Sequence, residues 1–233
     1  MTESEAREEI CRVGLSLFSR GYVHATAGNI SIRLAPEEGG GYLITPTDAC
    51  LGHLDPASLA RLDDQGRQVS GARGSKTITL HRAIYQASDH ARQPAGCVIH
   101  THSTNLVAAT LRQPCDIRHA KLGTRELLPP LTPYFVMKVG HVPWLDYQRP
   151  GSPRVAEEVA RLMSLYAGAG APLRAVMLDR LGPNVWGGHP AQAMATLEEL
   201  EETAKLWLAS AGQCAPLTED QIDDLRQTFG AVW

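Results

Sequence analysis

No run of apolar residues in this chain is long enough to cross a membrane. No excess of positive charge marks it for nucleic acid either: 22 Lys and Arg stand against 25 Asp and Glu, a net charge of -3. The stretch Met1 to Ile10 is acidic and polar, which is wrong for a signal or transit peptide. Cys11, Cys50, Cys97, Cys115 and Cys214 are odd in number, scattered, and never spaced C-x-x-C. That argues against a disulfide framework and for reduced thiols in a cytoplasmic protein. Each of them reads most simply as a small core residue. Internal repeats, low-complexity stretches and obvious linkers are also missing. What remains is ordinary globular composition, 43% hydrophobic and 20% charged over 233 residues. One well-buried domain spanning 1-233 is the expectation.

Helical and strand patterns alternate along the chain. Thr2 and Glu5 form a capping box before Ile10, Val13, Leu17 and Phe18, and Gly21 marks the stop. Asn29 to Leu34 alternates polar and apolar and pairs with Tyr42 to Thr45 as a hairpin. Ser75 is placed to cap a helix through Ala87, with Leu80, Ile84 and Ala87 inward. Cys97 to His100 predicts a strand, and Ser103 the cap of the next helix. Ser152-Pro153 opens a helix carrying Val155, Val159 and Leu162, and Ala175 to Leu178 predicts a buried strand. A long amphipathic helix follows over Ala191 to Ala211, with Met194, Leu197, Leu200, Ala204 and Leu208 on one side. The last helix starts at the box Thr218/Gln221 and carries Ile222, Leu225 and Phe229. The class is α/β, a central sheet covered by helices, with the strand order left open.

Chemistry concentrates at His100-Thr101-His102. Residues two apart in a strand share a side, so the two imidazoles would meet at one spot, the least a transition-metal site requires. Four other segments carry suitable groups. In Thr26-Ala27-Gly28-Asn29, Gly28 permits close backbone approach and Asn29 offers a donor and an acceptor. Thr45-Pro46-Thr47-Asp48 and Gly74-Ser75-Lys76-Thr77 offer hydroxyls, N–H groups, a helix start and a cation to an anion. Taken alone, these three read as well as turns and a cap. Thr77 and His81 share a helix face, where His81 reads as a half-buried histidine or as a neighbour of the same cavity. Leu131-Thr132-Pro133-Tyr134-Phe135, with Lys138 and His141 beyond, offers a tyrosine that is either a proton donor to carbon or a buried aromatic.

In order and spacing these segments resemble the class II aldolase/adducin family. The carrying residues are Thr26 to Ser31, Ile44 to Thr47, Ser75-Lys76-Thr77 with Leu80-His81, His100-Thr101-His102, and Glu198-Glu199-Leu200-Glu201-Glu202. Within it, Leu131 to Tyr134, Val139 to Pro143 and Arg149-Pro150-Gly151 most resemble members that decarboxylate 3-oxo-tetronate 4-phosphate in sugar-acid breakdown. The resemblance implies a three-layer α/β/α fold with a central mixed, mainly antiparallel sheet. It implies a homotetramer with sites at subunit contacts, a divalent metal (commonly zinc), and a phosphorylated sugar-acid-like substrate. Matched by position, Gly28, Asn29, Thr47 and Ser75 would hold phosphate, joined by Lys76 and by the backbone N–H of Asp48. Catalysis would fall to Tyr134, Thr77 and Lys76, and metal binding to His100 and His102.

Two positions depart from the family pattern. Thr77 stands where the family has a glutamate that acts as base and touches the metal. Leu181, in Arg180-Leu181-Gly182-Pro183, stands where it has a third metal-binding histidine. His24, His81, His141 or a neighbouring subunit could complete the ligand shell. Alternatively, Lys76 and Arg180 could stabilise an oxyanion without metal. Retro-aldol cleavage must remove a hydroxyl proton and so wants the missing base, whereas loss of CO2 from a 3-oxo acid does not. A decarboxylase, another lyase or isomerase with an altered site, and a non-catalytic binding protein as in adducin are the three readings. Trp207 and Trp233 could cover the site or a subunit contact, or simply pack.

Overall fold

The computed structural model describes residues 1–91, 93–112 and 117–233. Cys115 lies outside the described residues. The other four cysteines are free thiols, and Cys97 is fully buried. No helix among the described residues is long and apolar enough to cross a membrane.

Helix α1 (Glu3–Ser19) starts at the Thr2/Glu5 capping box and buries Ile10, Val13 and Leu17. Strands β1 (Asn29–Arg33) and β2 (Tyr42–Ile44) form the expected hairpin. Two short strands follow, β3 (Ala60–Leu62) and β4 (Gln68–Ser70), which have too few apolar residues to announce themselves. Helix α2 spans Ile78–His90, strand β5 Cys97–His100 and helix α3 Thr104–Leu111. A π-helical turn at Phe135–Val139 leads to β6 (Trp144–Leu145). Helix α4 (Pro153–Gly168), β7 (Ala175–Leu178), β8 (Gly182–Gly187), α5 (Pro190–Ala209) and α6 (Glu219–Phe229) complete the chain.

Among the described residues, eight strands lie in one sheet in the order β4-β3-β2-β1-β5-β8-β7-β6. Every pairing is antiparallel except β6 with β7, so the sheet is mixed and mainly antiparallel. Side chains alternate across it. Ile30, Ile99 and Val185 face one apolar cluster with Ile10, Leu17, Leu197 and Leu200 of α1 and α5. Val98, Val176 and Trp186 face the other, with Ile84 and Tyr85 of α2 and Val159, Leu162 and Tyr166 of α4. Helices therefore cover both faces, the three-layer arrangement expected.

Three local expectations need correction. Helix α2 begins two residues later than expected, with Thr77 and not Ser75 at its N-cap, and without a side-chain cap. Ser103 does precede α3, but its side chain accepts no capping hydrogen bond either. The Glu201 carboxylate, 2% exposed on α5, accepts the N–H groups of Asn105 and Leu106 at 3.0 and 3.2 Å in its place. Phe229 is exposed, so the buried stripe of α6 is Ile222 and Leu225 alone.

Candidate active site

Strand β5 ends at His100, so His102 lies just beyond it and not within it. The two rings still meet, with centres 5.0 Å apart at an angle of 67°. His100 is buried, and its Nδ1–H donates to the Pro183 carbonyl at 2.8 Å. That bond fixes the tautomer and leaves Nε2 with a lone pair. In the sheet register His100 stands directly between Asn29 of β1 and Asn184 of β8. All three face α2, on the side of Val98 and Trp186. From α2, the buried His81 bonds Ser31 Oγ through Nδ1 at 2.7 Å, and Ser31 also meets the Tyr85 hydroxyl.

This neighbourhood is dense in unused polarity. Asn29 Oδ1, His81 Nε2 and both side-chain polar atoms of Asn184 are buried without hydrogen-bond partners. Such atoms are uncommon in native interiors, and each unpaired one costs about 1–3 kcal/mol. They leave donors and acceptors for a polar ligand. Burial, reinforced by His100, pushes the His81 imidazole down to about 3. Burial and His102 push His100 down to about 3 as well, against the pull of the Pro183 carbonyl. Burial first, and His24 second, lower His102. The histidines are therefore neutral near pH 7 and present lone pairs rather than charge.

The expected anion-binding segments do converge. Gly28 has φ +86°, and a Cβ there would lie 2.8 Å from the His100 carbonyl oxygen, so the turn sits tight against the end of β5. Pro46 bridges Gly74, Ser75 N–H donates to Thr45 O at 3.1 Å, and Thr47 N–H donates to Arg73 O at 2.8 Å. Thr47 Oγ1 donates to the Gly74 carbonyl at 2.9 Å. Both donors of Thr47 are thus committed, and it reaches an anion only if its hydroxyl turns. Ser75 Oγ and Thr77 Oγ1 share one hydrogen bond of 2.7 Å, which uses one of their two protons and leaves the other free to donate. Lys76 and Asp48 are exposed beside them. The chain places Thr77 one helical turn before His81, whose N–H it accepts at 3.1 Å.

Leu181 lies in the turn between β7 and β8 and packs against the apolar cluster of α2 and α4. Beside it Arg180 adopts φ +58°, a left-handed conformation that arginine rarely takes. Among the suggested replacements, the exposed His24 has its ring centre 6.5 Å from that of His102, and the buried His81 lies close enough to His100 to feel its charge. His141 does not belong here: it bonds Glu126, and β6, the strand after it, lies three places from β5. Among the described residues no third His, Cys, Asp or Glu joins His100 and His102 in a compact ligand group. One chain's residues therefore do not fit the three-ligand metal site that catalytic zinc normally has.

Tyr134 is 60% exposed and not a buried aromatic. It lines a cleft of about 890 Å³ with Arg20, Tyr22, Lys138, Arg174 and Glu198, whose walls include neither histidine of the pair nor Ser75 or Thr77. The structure thus brings Gly28, Asn29 and His100 together, sets Ser75 and Thr77 side by side, and leaves Tyr134 apart. Asn184 is the site residue that sequence reasoning missed. An asparagine within a buried strand carries no pattern of its own, and only the register opposite His100 reveals it.

The sequence profile described as the class II aldolase and adducin N-terminal domain matches residues 8–208. A 3-oxo-tetronate 4-phosphate decarboxylase of Cupriavidus necator is 50% identical, over 100% of this chain and 99% of that protein. The crystal structure of Escherichia coli YgbL, described as an aldolase, epimerase or decarboxylase, aligns with a TM-score of 0.81 and 36% identity over 96% of this chain and 99% of that one. An L-fuculose 1-phosphate aldolase aligns with a TM-score of 0.74 over 99% and 98% of the two chains, at 21% identity, a likeness of fold.

Proposed function

The chain belongs to the class II aldolase and adducin family, and from that premise we propose that it is a carbon–carbon lyase that decarboxylates 3-oxo-tetronate 4-phosphate to dihydroxyacetone phosphate and CO2. The observation that carries this reading is the 50% identity with such a decarboxylase along the whole chain. Divalent metals are general in the family, and imidazole ligands favour zinc. His100 and His102 offer two donors for it, and no step below depends on it. Four free thiols support a cytoplasmic setting. The same reading takes residues 1–233 as one domain.

Decarboxylation breaks the bond between C1 and C2. The electron pair moves into a C2–C3 double bond, the C3 oxygen becomes an oxyanion, CO2 departs, and a proton then adds to C2. No base is needed to start it, so Thr77 in place of a glutamate is tolerable here and would stop a retro-aldol reaction. Gly28, Asn29 and Ser75 hold the phosphate, joined by Thr47 once its hydroxyl turns from the Gly74 carbonyl, Lys76 adds positive charge, and the free proton of the Ser75–Thr77 pair donates to oxygen. With Nδ1–H committed to Pro183, His100 presents a lone pair and donates nothing to the oxyanion.

Tyr134 is the proton donor to C2 in this reading. Its separation from the histidines within one chain is what an oligomer with shared sites requires, and a tetramer is the form the family suggests. Subunit mixing tests the arrangement. Tyr134→Phe is expected to lose at least about 100-fold in kcat, within the usual contribution of a general acid, and Ser75→Ala, which removes a hydroxyl from the phosphate site, to lose activity as well. Dissociating, mixing and reassembling the two should regain part of the activity, because some sites then receive both intact groups. A full-rate Tyr134→Phe enzyme would remove the donor role.

A further inference from the structure

We infer that His119, Glu126 and His141 form a second cation site, unrelated to the His100 pair, that takes a divalent transition metal such as Zn2+. Their ligand atoms all lie within 4.8 Å of one another. The three residues are 9%, 3% and 6% exposed, so the group is interior and not a surface cluster. Strand β6, which follows His141, is three strand spacings from β5, about 14 Å across the sheet.

The hydrogen bonds favour a cation. His141 Nδ1 meets both Glu126 oxygens, at 2.8 Å for Oε1 and 3.0 Å for Oε2. Tyr166 donates to Oε1 at 2.9 Å. Neither partner is a permanent cation, and a buried carboxylate is stable only when its charge is matched. His141 Nε2 is buried and unpartnered. The His119 ring centre lies 4.3 Å from that of His141, and Trp233 stacks on the outer side of His141 at 4.2 Å. Two imidazoles and a carboxylate are a ligand set that suits zinc or cobalt rather than magnesium or calcium. His119 is the weakest of the three. Its Nδ1 accepts the N–H groups of Lys121 and Leu122, each at 3.2 Å, and metal binding through this ring must displace those two contacts or shift its proton. The site would tie the turn at 119–126 to the segment that follows Tyr134.

The test uses full-length protein stripped with a chelator and dialysed against Zn2+ or Co2+. In the His100→Ala/His102→Ala variant, elemental analysis should still find about one metal per chain, and Co2+ should give a visible absorption band. Adding His141→Ala should abolish both. Should that variant fail to fold by circular dichroism, Glu126→Gln keeps the side-chain shape and should weaken binding about 10–100-fold. A folded His100→Ala/His102→Ala protein that takes up no metal would overturn the site. So would uptake unchanged by either His141→Ala or Glu126→Gln. Decarboxylase activity is no readout here, so the outcome does not depend on the proposed reaction.

Discussion

Leu181 exchanges a ligand for packing. An imidazole at this turn would offer a lone pair near Thr101, whose carbonyl leaves no room for a Cβ at the neighbouring Gly182, whereas leucine joins the apolar cluster under α2 and α4. Thr77 makes a similar exchange, giving its hydroxyl to Ser75 where a carboxylate would reach outward. Restoring both, as Thr77→Glu/Leu181→His, should tighten Zn2+ at the His100 pair by more than about 100-fold, beyond what outer-shell changes alone achieve. Competition against a chelator in the Glu126→Gln background measures it. The His100 pair was legible in the sequence from its spacing, although His102 lies past the end of β5 and strand period is not what brings the two rings together. His119, Glu126 and His141 were not legible as a group, because loops bring them together and no periodicity links them. Ser75 misled as a helix cap because Thr77 continues the turn in helical conformation and delays the start of α2.

At the scale of elements, the acidic run on α5 gains a physical role. Glu201 supplies the cap that Ser103 does not, holding the first turn of α3 directly after His102. A carboxylate there also meets the positive end of the helix dipole. Glu201→Gln should lower stability by about 1–2 kcal/mol, the usual worth of a lost cap. Urea denaturation would read the loss, and a rise in hydrogen exchange at Asn105 and Leu106 would locate it. The sequence exposed β1, β2, β5, β7 and the helices, whose apolar residues repeat, but not the six-residue β8, whose two glycines and proline carry no strand period. It hid β3, β4 and β6, which are two or three residues long and held in place by their neighbours. Tyr134 sits at the start of a single π-helical turn, a conformation with no sequence period to find.

Considered whole, the molecule buries titratable groups beneath its sheet. His81 and His100 bind protons only near pH 3 when folded, against 6.5 for the free side chain. Below pH 6.5 the unfolded chain takes up protons that the folded chain refuses. Metal-free protein should therefore lose stability as pH falls from 6.5 toward 3, by up to about 1.4 kcal/mol per pH unit for each group, and gain nothing from them above 7. Urea midpoints at pH 7 and pH 5, compared between wild type and His81→Asn, check the sign: the variant should show the flatter dependence. The three layers and the family were legible because motifs spread along nearly the whole chain fix both. The strand order was not, since pairing depends on contacts that no local pattern records.

Decarboxylation by a class II aldolase fold that carries Thr77 at the position of the usual glutamate is open to direct test. Incubating the purified protein with 3-oxo-tetronate 4-phosphate and following both products by mass spectrometry tests it most directly. CO2 and dihydroxyacetone phosphate are expected in equal amounts, at a rate well above the spontaneous loss of CO2. Release at the spontaneous rate only, or cleavage to other fragments without CO2, would contradict it.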